Sequence, residues 1–281
     1  MANNVWFITG ASKGLGLVLA KQLLERGHRV AATSRTVSAL THELGETSKS
    51  FLPLAMEITS EASVAAAVAA AVAHFGSLDV VVNNAGYGQF GTAEEVTDAE
   101  ARRNFDVNVF GVLHVLRSTL PHLRERRSGH VFNIASIGGF VGGFTGWGVY
   151  CSTKFALAGL TESLRADLAP LGVGVTLVYP GYFRTSFLEG GSMMHPSRPI
   201  ADYAGARASD AQHTDQINGH QPGDPARAMR ALIDVYEAGT NPLHLFLGSD
   251  AVQMATDKLA QVGQELTALA SLSRSTDFAA G

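Results

Sequence analysis

Tyr150 and Lys154 stand four residues apart in a segment whose helical pattern runs on to residue 169, so their side chains share one helix face, a turn apart. A phenol with an ordinary pKa of ~10 exchanges protons poorly at neutral pH. A neighbouring ammonium favours the phenolate and brings it toward the working range. The pair is a candidate acid/base, although Tyr followed four residues later by Lys also occurs by accident on helix surfaces. A second constellation, Thr9-Gly10-Ala11-Ser12-Lys13-Gly14-Leu15-Gly16, follows an apolar run and precedes a helical pattern over 17–24. Glycines at 10, 14 and 16 allow a sharp turn and close backbone approach, and the helix start offers free N–H groups to a pyrophosphate. The spacing departs from G-x-G-x-x-G, and such a turn can also be only a tight connection.

The run over 29–33 ends at Ser34-Arg35, about where dinucleotide folds that prefer NAD place a carboxylate on the adenosine ribose. No acid stands there. Arg35 can instead pair its planar guanidinium with a 2'-phosphate, and Lys13 supplies a second cation, which favours NADP(H) over NAD(H). The sole cysteine, Cys151, is offset by about a hundred degrees from Tyr150 around the helix and reads as packing. His195, His213 and His220 lack metal-ligand spacing and read as surface or pocket-rim residues, so no metal site is expected.

Elements that could position these groups are legible. Apolar runs at 5–8, 29–33, 51–55, 78–82, 130–135, 174–179 and 243–247 alternate with helix-length segments. The runs are apolar throughout, as in parallel strands covered on both faces, which predicts a single-domain, doubly wound α/β fold with a seven-stranded parallel sheet spanning residues 1–281. Thr97 with Glu100 makes a capping box, and Asp224 before Pro225 fits an N-cap and first-turn pair. Residues 181–223 break the alternation, with weak helical periodicity around 200–212, and are expected to form a substrate lid.

Thr9 to Gly16, Asn83-Asn84-Ala85-Gly86, Asn108, Ser136, Tyr150 with Lys154, and Pro180-Gly181 together resemble the short-chain dehydrogenase/reductase family in order and approximate spacing, over about residues 5–185. Residues 178–185 and 272–278 resemble its broad 17-beta-hydroxysteroid-dehydrogenase-like and carbonyl reductase branch. The resemblance implies an oxidoreductase in which Tyr150 donates the proton to a carbonyl, Ser136 hydrogen-bonds the same oxygen, and Lys154 lowers the Tyr150 pKa and binds the nicotinamide ribose. Asn108 would hold a water linked to Lys154. It also implies a cofactor site of Gly10, Ser12, Lys13, Gly14, Leu15, Gly16, Arg35, Glu57, Ile58, Asn84, Ala85, Gly86, Tyr150, Lys154, Pro180, Gly181, Phe183 and Thr185. Asn83 would act mainly as a clasp between central strands. Glu57 replaces the family's usual aspartate near adenine, and Ala135 replaces the first of a frequent Ser-Ser pair.

Phe90, Phe140, Phe144, Trp147, Tyr182, Phe187, Met193 and Met194 are candidate walls of a pocket for a hydrophobic ketone or aldehyde. Any one of them could equally pack the loops against the sheet. A net charge of -4 without a run of like charges points to a small-molecule partner rather than nucleic acid or membrane. The most apolar segment, 64–73, is half the ~20 residues of a membrane span. The start carries no secretion pattern and the single cysteine fits a reducing compartment, so a cytoplasmic protein is expected. The resemblance adds a homodimer or homotetramer. NAD-linked oxidation of an alcohol or hydroxysteroid and a non-catalytic NADP(H)-sensing regulator are the rival readings.

Overall fold

The computed structural model describes residues 3–278; the termini of the expected 1–281 domain lie outside the described residues. The seven apolar runs become β1 (Val5–Ile8), β2 (Arg29–Ser34), β3 (Phe51–Ala55), β4 (Val80–Asn83), β6 (Gly129–Ile134), β7 (Val173–Pro180) and β9 (His244–Leu247). They form one parallel sheet in the order β3-β2-β1-β4-β6-β7-β9. The chain leaves β1 outward to β3, then crosses back to β4 and proceeds the other way. This reversal between β1 and β4 opens the crevice where doubly wound sheets bind ligands.

Helices α1 (Gly14–Glu25), α2 (Val37–Leu44) and α8 (Pro225–Glu237) cover one face, and α3 (Glu61–Phe75), α5 (Gly111–Arg126) and α6 (Gly148–Leu168) cover the other. Two apolar cores result, one around Leu19, Leu23 and Leu232 and one around Val64, Val115 and Leu157. Helix α4 (Asp98–Phe105) starts with the expected Thr97–Glu100 capping box, and Asp224 caps α8 with Pro225 in its first turn. β4 begins two residues later than the apolar run suggests, because Asp79 is occupied otherwise. Its carboxylate accepts from Val5 N at 2.7 Å and pairs with Arg126 at 2.8 Å.

The segment after β7 forms a cap of β8 (Met193–Met194), α7 (Ala204–Ala211) and a π-helical continuation, Gln212–Ile217. β8 pairs with β5 (Gly88–Gln89), which fastens the cap over the carboxyl ends of β4 and β6. A last helix, α9 (Ser249–Arg274), packs Ala251 and Ala255 beside Ile137.

His130 on β6 is buried, with Nε2 2.9 Å from Thr176 Oγ1, whose own proton goes to Pro242 O. Burial pushes its pKa down to about 4. The folded value lies below the unfolded one, so this contribution to stability is complete above about pH 6.5 and is lost as pH falls toward 4. The shift corresponds to about 3 kcal/mol. In urea melts at pH 7.5 and 4.5, His130→Gln is expected to lose about 2 kcal/mol less than the wild type across that interval; equal losses would assign the acid sensitivity to other groups.

Candidate active site

The glycine turn is stapled to the segment after β4. Thr9 Oγ1 accepts from the backbone N–H groups of Asn84 and Ala85, both at 3.0 Å, while Asn84 Nδ2 donates to Thr9 O and Gly10 O at 3.0 and 2.9 Å. Gly10 has φ +66° and a Cβ there would lie 2.8 Å from Ala85 Cα; a Cβ on Gly16 would lie 2.6 Å from Gly10 O. These two glycines serve the turn's own packing. Gly16 is accordingly buried in α1, behind the turn instead of on the cavity wall.

Gly14 differs from both. Its φ is +59° and a Cβ there would meet nothing within 4 Å. α1 starts at this residue with no side-chain cap from Lys13, so its first-turn N–H groups face an open cradle lined by Gly10, Ser12, Lys13, Gly14 and Leu15. This cradle fits a pyrophosphate. It opens into a cavity of about 740 Å3 that runs past Arg35, Glu57 and Ile58 at one end and reaches Ser136, Tyr150 and Lys154 at the other. Asn84, Ala85, Gly86, Pro180, Gly181, Phe183 and Thr185 border it between. Lys13 and Arg35 are exposed, whereas the Glu57 carboxylate accepts from Thr59 N and Oγ1 at 3.1 and 2.8 Å.

Helix α6 presents Tyr150 and Lys154, both buried, beneath the end of β6. Lys154 Nζ donates to Ile134 O at 3.0 Å, and burial lowers its pKa to about 8. Ser136 Oγ accepts from Gly138 N at 3.1 Å, which leaves its hydroxyl proton free to donate into the cavity. Burial pushes the Tyr150 phenol above its usual range, partly offset by the Ser136 hydroxyl. The expected lowering by Lys154 is not what this geometry yields. Nζ lies 5.8 Å from the Tyr150 ring centroid and bonds the main chain, so desolvation dominates. The phenol therefore carries its proton at neutral pH.

A family model described as short chain dehydrogenase matches residues 4–193. The chain belongs to the short-chain dehydrogenase family. It is therefore an oxidoreductase of that type. It is 34% identical over 261 residues to Oxidoreductase BOA17 of Botryotinia fuckeliana, covering 92% of this chain and 93% of the relative. A crystal structure of a short-chain dehydrogenase from Streptomyces avermitilis superposes with a TM-score of 0.90 at 37% identity, over 99% of this chain and 100% of that one. A short-chain dehydrogenase from Burkholderia cenocepacia solved in complex with NADP superposes at 0.72 with 27% identity, over 96% and 99%.

Among the expected pocket walls, Phe144, Trp147, Tyr182, Phe187 and Met194 border this short-chain dehydrogenase cavity. Phe90, Phe140 and Met193 do not. Phe90 is fully buried behind Trp147, at 5.4 Å between ring centroids, and Phe140 packs between Tyr179 and Phe246 at 5.6 and 5.2 Å. Met193 is buried where β8 pairs with Gly88. Asn108 also sits behind the wall, in a π-helical turn (Asp106–Phe110) between α4 and α5. Its Nδ2 donates to Tyr87 O and Thr153 Oγ1, both at 3.0 Å, and its Oδ1 accepts from Tyr87 N at 3.1 Å. It thus fixes the backbone beside Gly86. Asn83 clasps β4 to β6 through Asn133 at 2.8 Å.

Cys151 packs and His213 borders the cavity, as expected. Cys151 borders the cavity but is buried, and its thiol is pushed up to about 11, so it is an inert wall. His213 borders the cavity, and it is buried and hydrogen-bonded rather than exposed. No group of metal-ligating side chains occurs among the described residues. No helix of the described residues is long and apolar enough to cross a membrane.

Proposed function

We propose that this chain reduces a hydrophobic ketone or aldehyde to an alcohol, reversibly, with NADP(H) as the hydride carrier. The observation that carries this reading is one continuous cavity with the Gly14 cradle and two cations, Lys13 and Arg35, toward one end and Ser136 with Tyr150 at the other. When bound, the cofactor supplies the hydride that adds to the carbonyl carbon. Ser136 donates a hydrogen bond to the carbonyl oxygen and stabilises the charge that develops there. Tyr150 gives that oxygen its proton, so the carbon gains a hydride and the oxygen a proton, balancing the alcohol product. Lys154, anchored on Ile134 O, holds a positive charge below the phenol and would bind the nicotinamide ribose.

Phe144, Trp147, Phe187, Leu188 and Met194 give the reacting end an apolar wall that excludes water. The preference for NADP(H) rests on Arg35 and Lys13 and on the missing acid at the end of β2. With any ketone that this enzyme turns over, Arg35→Asp is expected to lower kcat/KM for NADPH on the order of 100-fold and to change that for NADH by less than about threefold. Equal losses with both cofactors would remove Arg35 from the 2'-phosphate.

A further inference from the structure

Tyr182 follows β7 and is held from two sides. Its N–H donates to Asp250 Oδ2 of α9 at 2.7 Å, and its carbonyl accepts from Gly223 N, where the cap returns to the body, at 2.9 Å. Its hydroxyl lies 2.9 Å from His213 Nε2. The other ring nitrogen, Nδ1, lies 2.7 Å from Ser209 O. A carbonyl only accepts, so the proton of the neutral ring sits on Nδ1 and Nε2 offers a lone pair. The Tyr182 proton is therefore committed to His213. What Tyr182 shows the cavity is oxygen lone pairs.

Tyr182 and His213 both border the same cavity as Tyr150. The Trp147 ring is near both groups, 5.1 Å from the His213 ring and 5.7 Å from that of Tyr150. Beside the apolar rings of Phe144, Trp147 and Phe187, an oxygen whose own proton is already used selects a hydrogen-bond donor and repels another acceptor.

We propose that Tyr182, oriented by His213, is an acceptor-only subsite for a substrate hydroxyl, so that the substrate is a hydroxyketone and the product a diol. This rests on the carbonyl-reducing function proposed above and narrows its substrate class. The reacting carbonyl meets Ser136 and Tyr150 while the hydroxyl, a few bonds away, donates to Tyr182. An ether or carbonyl oxygen at that position sets two acceptors against each other and leaves Tyr182 unpaired.

The test compares 2-hydroxyacetophenone and 3-hydroxy-1-phenylpropan-1-one with their methyl ethers, by NADPH oxidation, in the wild type and in Tyr182→Phe. For at least one pair the wild type is expected to favour the hydroxyketone about tenfold in kcat/KM, mainly through KM, and Tyr182→Phe to bring the ratio near one while the variant stays folded at the assay temperature. A wild type without preference, or a ratio that survives in Tyr182→Phe, overturns the subsite. If the wild type oxidises NADPH with none of these ketones, calorimetric titration of the corresponding diols and their methyl ethers into NADP+-saturated protein gives an independent reading. A diol preference that Tyr182→Phe abolishes supports the subsite even though the proposed reaction has failed; equal affinities overturn it.

Discussion

Tyr150→Phe is expected to lower turnover about a thousandfold while leaving NADPH affinity within about twofold. The substitution removes one oxygen from a ring held at 5.7 Å from Trp147 and 5.9 Å from Phe187, and those ring contacts do not depend on the hydroxyl. The loss therefore falls on proton donation. Ser136 remains able to hydrogen-bond the carbonyl, so rate enhancement from oxyanion stabilisation persists and the residual activity stays above the uncatalysed rate. The measurement is steady-state NADPH oxidation beside a fluorescence titration of NADPH. Turnover near that of the wild type would sink Tyr150 as the acid and move the search to Ser136.

Lys154→Met should disable the enzyme and strengthen the fold. The Lys154 ammonium is buried, with a folded pKa of about 8 against an ordinary value near 10.5. The folded pKa is the lower, so the unfolded chain binds more protons between these values and stability rises with pH from about 8 to 10.5; below 8 the full penalty is present. That penalty is about 3 kcal/mol, and the lost hydrogen bond to Ile134 O returns about 1 kcal/mol of it. At pH 7 the cofactor-free variant is expected to be more stable by about 2 kcal/mol in urea, with the gain vanishing above pH 10.5 and turnover down at least 100-fold. A destabilised variant would mean that the side chain's packing outweighs its charge. His130 has the same sign in a different window: stability rises with pH at both residues, between about 4 and 6.5 for His130 and between about 8 and 10.5 for Lys154.

Much of this site was legible because the chemistry lay in local patterns. Glycine at 10, 14 and 16 before a helix, and Tyr150 a turn ahead of Lys154, are spacings that the backbone converts directly into neighbourhood. The apolar strand runs gave the parallel sheet, and Thr97–Glu100 and Asp224–Pro225 marked helix starts that the fold uses. Side-chain direction was a different matter. Phe90, Phe140 and Met193 share the aromatic or apolar character of Phe144 and Trp147, but which of them faces the cavity depends on how the cap meets the sheet, through β5 and β8, strands of two residues each. No periodicity signals a two-residue strand.

The burial of His213 was not legible for a related reason. Its burial follows from a π-helical turn that carries it under Tyr182, and a weakly periodic, Gly- and Ser-containing segment gives no hint of that turn. The Tyr150–Lys154 spacing placed the two groups on one helix face but not their electrostatics. Those depended on Ile134 O, a carbonyl from another element, which took the ammonium's hydrogen bond.

Phe90, Trp147, Tyr150, Cys151, Leu188, Met193 and Ala206 form an apolar cluster of their own, apart from the two cores that flank the sheet. Tyr150 thus packs in one apolar cluster with the cap, while Leu157 and Ala158 of the same helix pack in the core beside the strands. A small cluster closed by four strand residues is expected to open at a fraction of the global unfolding free energy, so amide exchange in residues 186–217 should be faster than in the sheet. The same partition separates two evolutionary freedoms. The sheet and its glycine turn can stay fixed while the cap is rewritten, yet every rewriting also repacks the Tyr150 ring, so under the proposed mechanism selectivity and turnover change together.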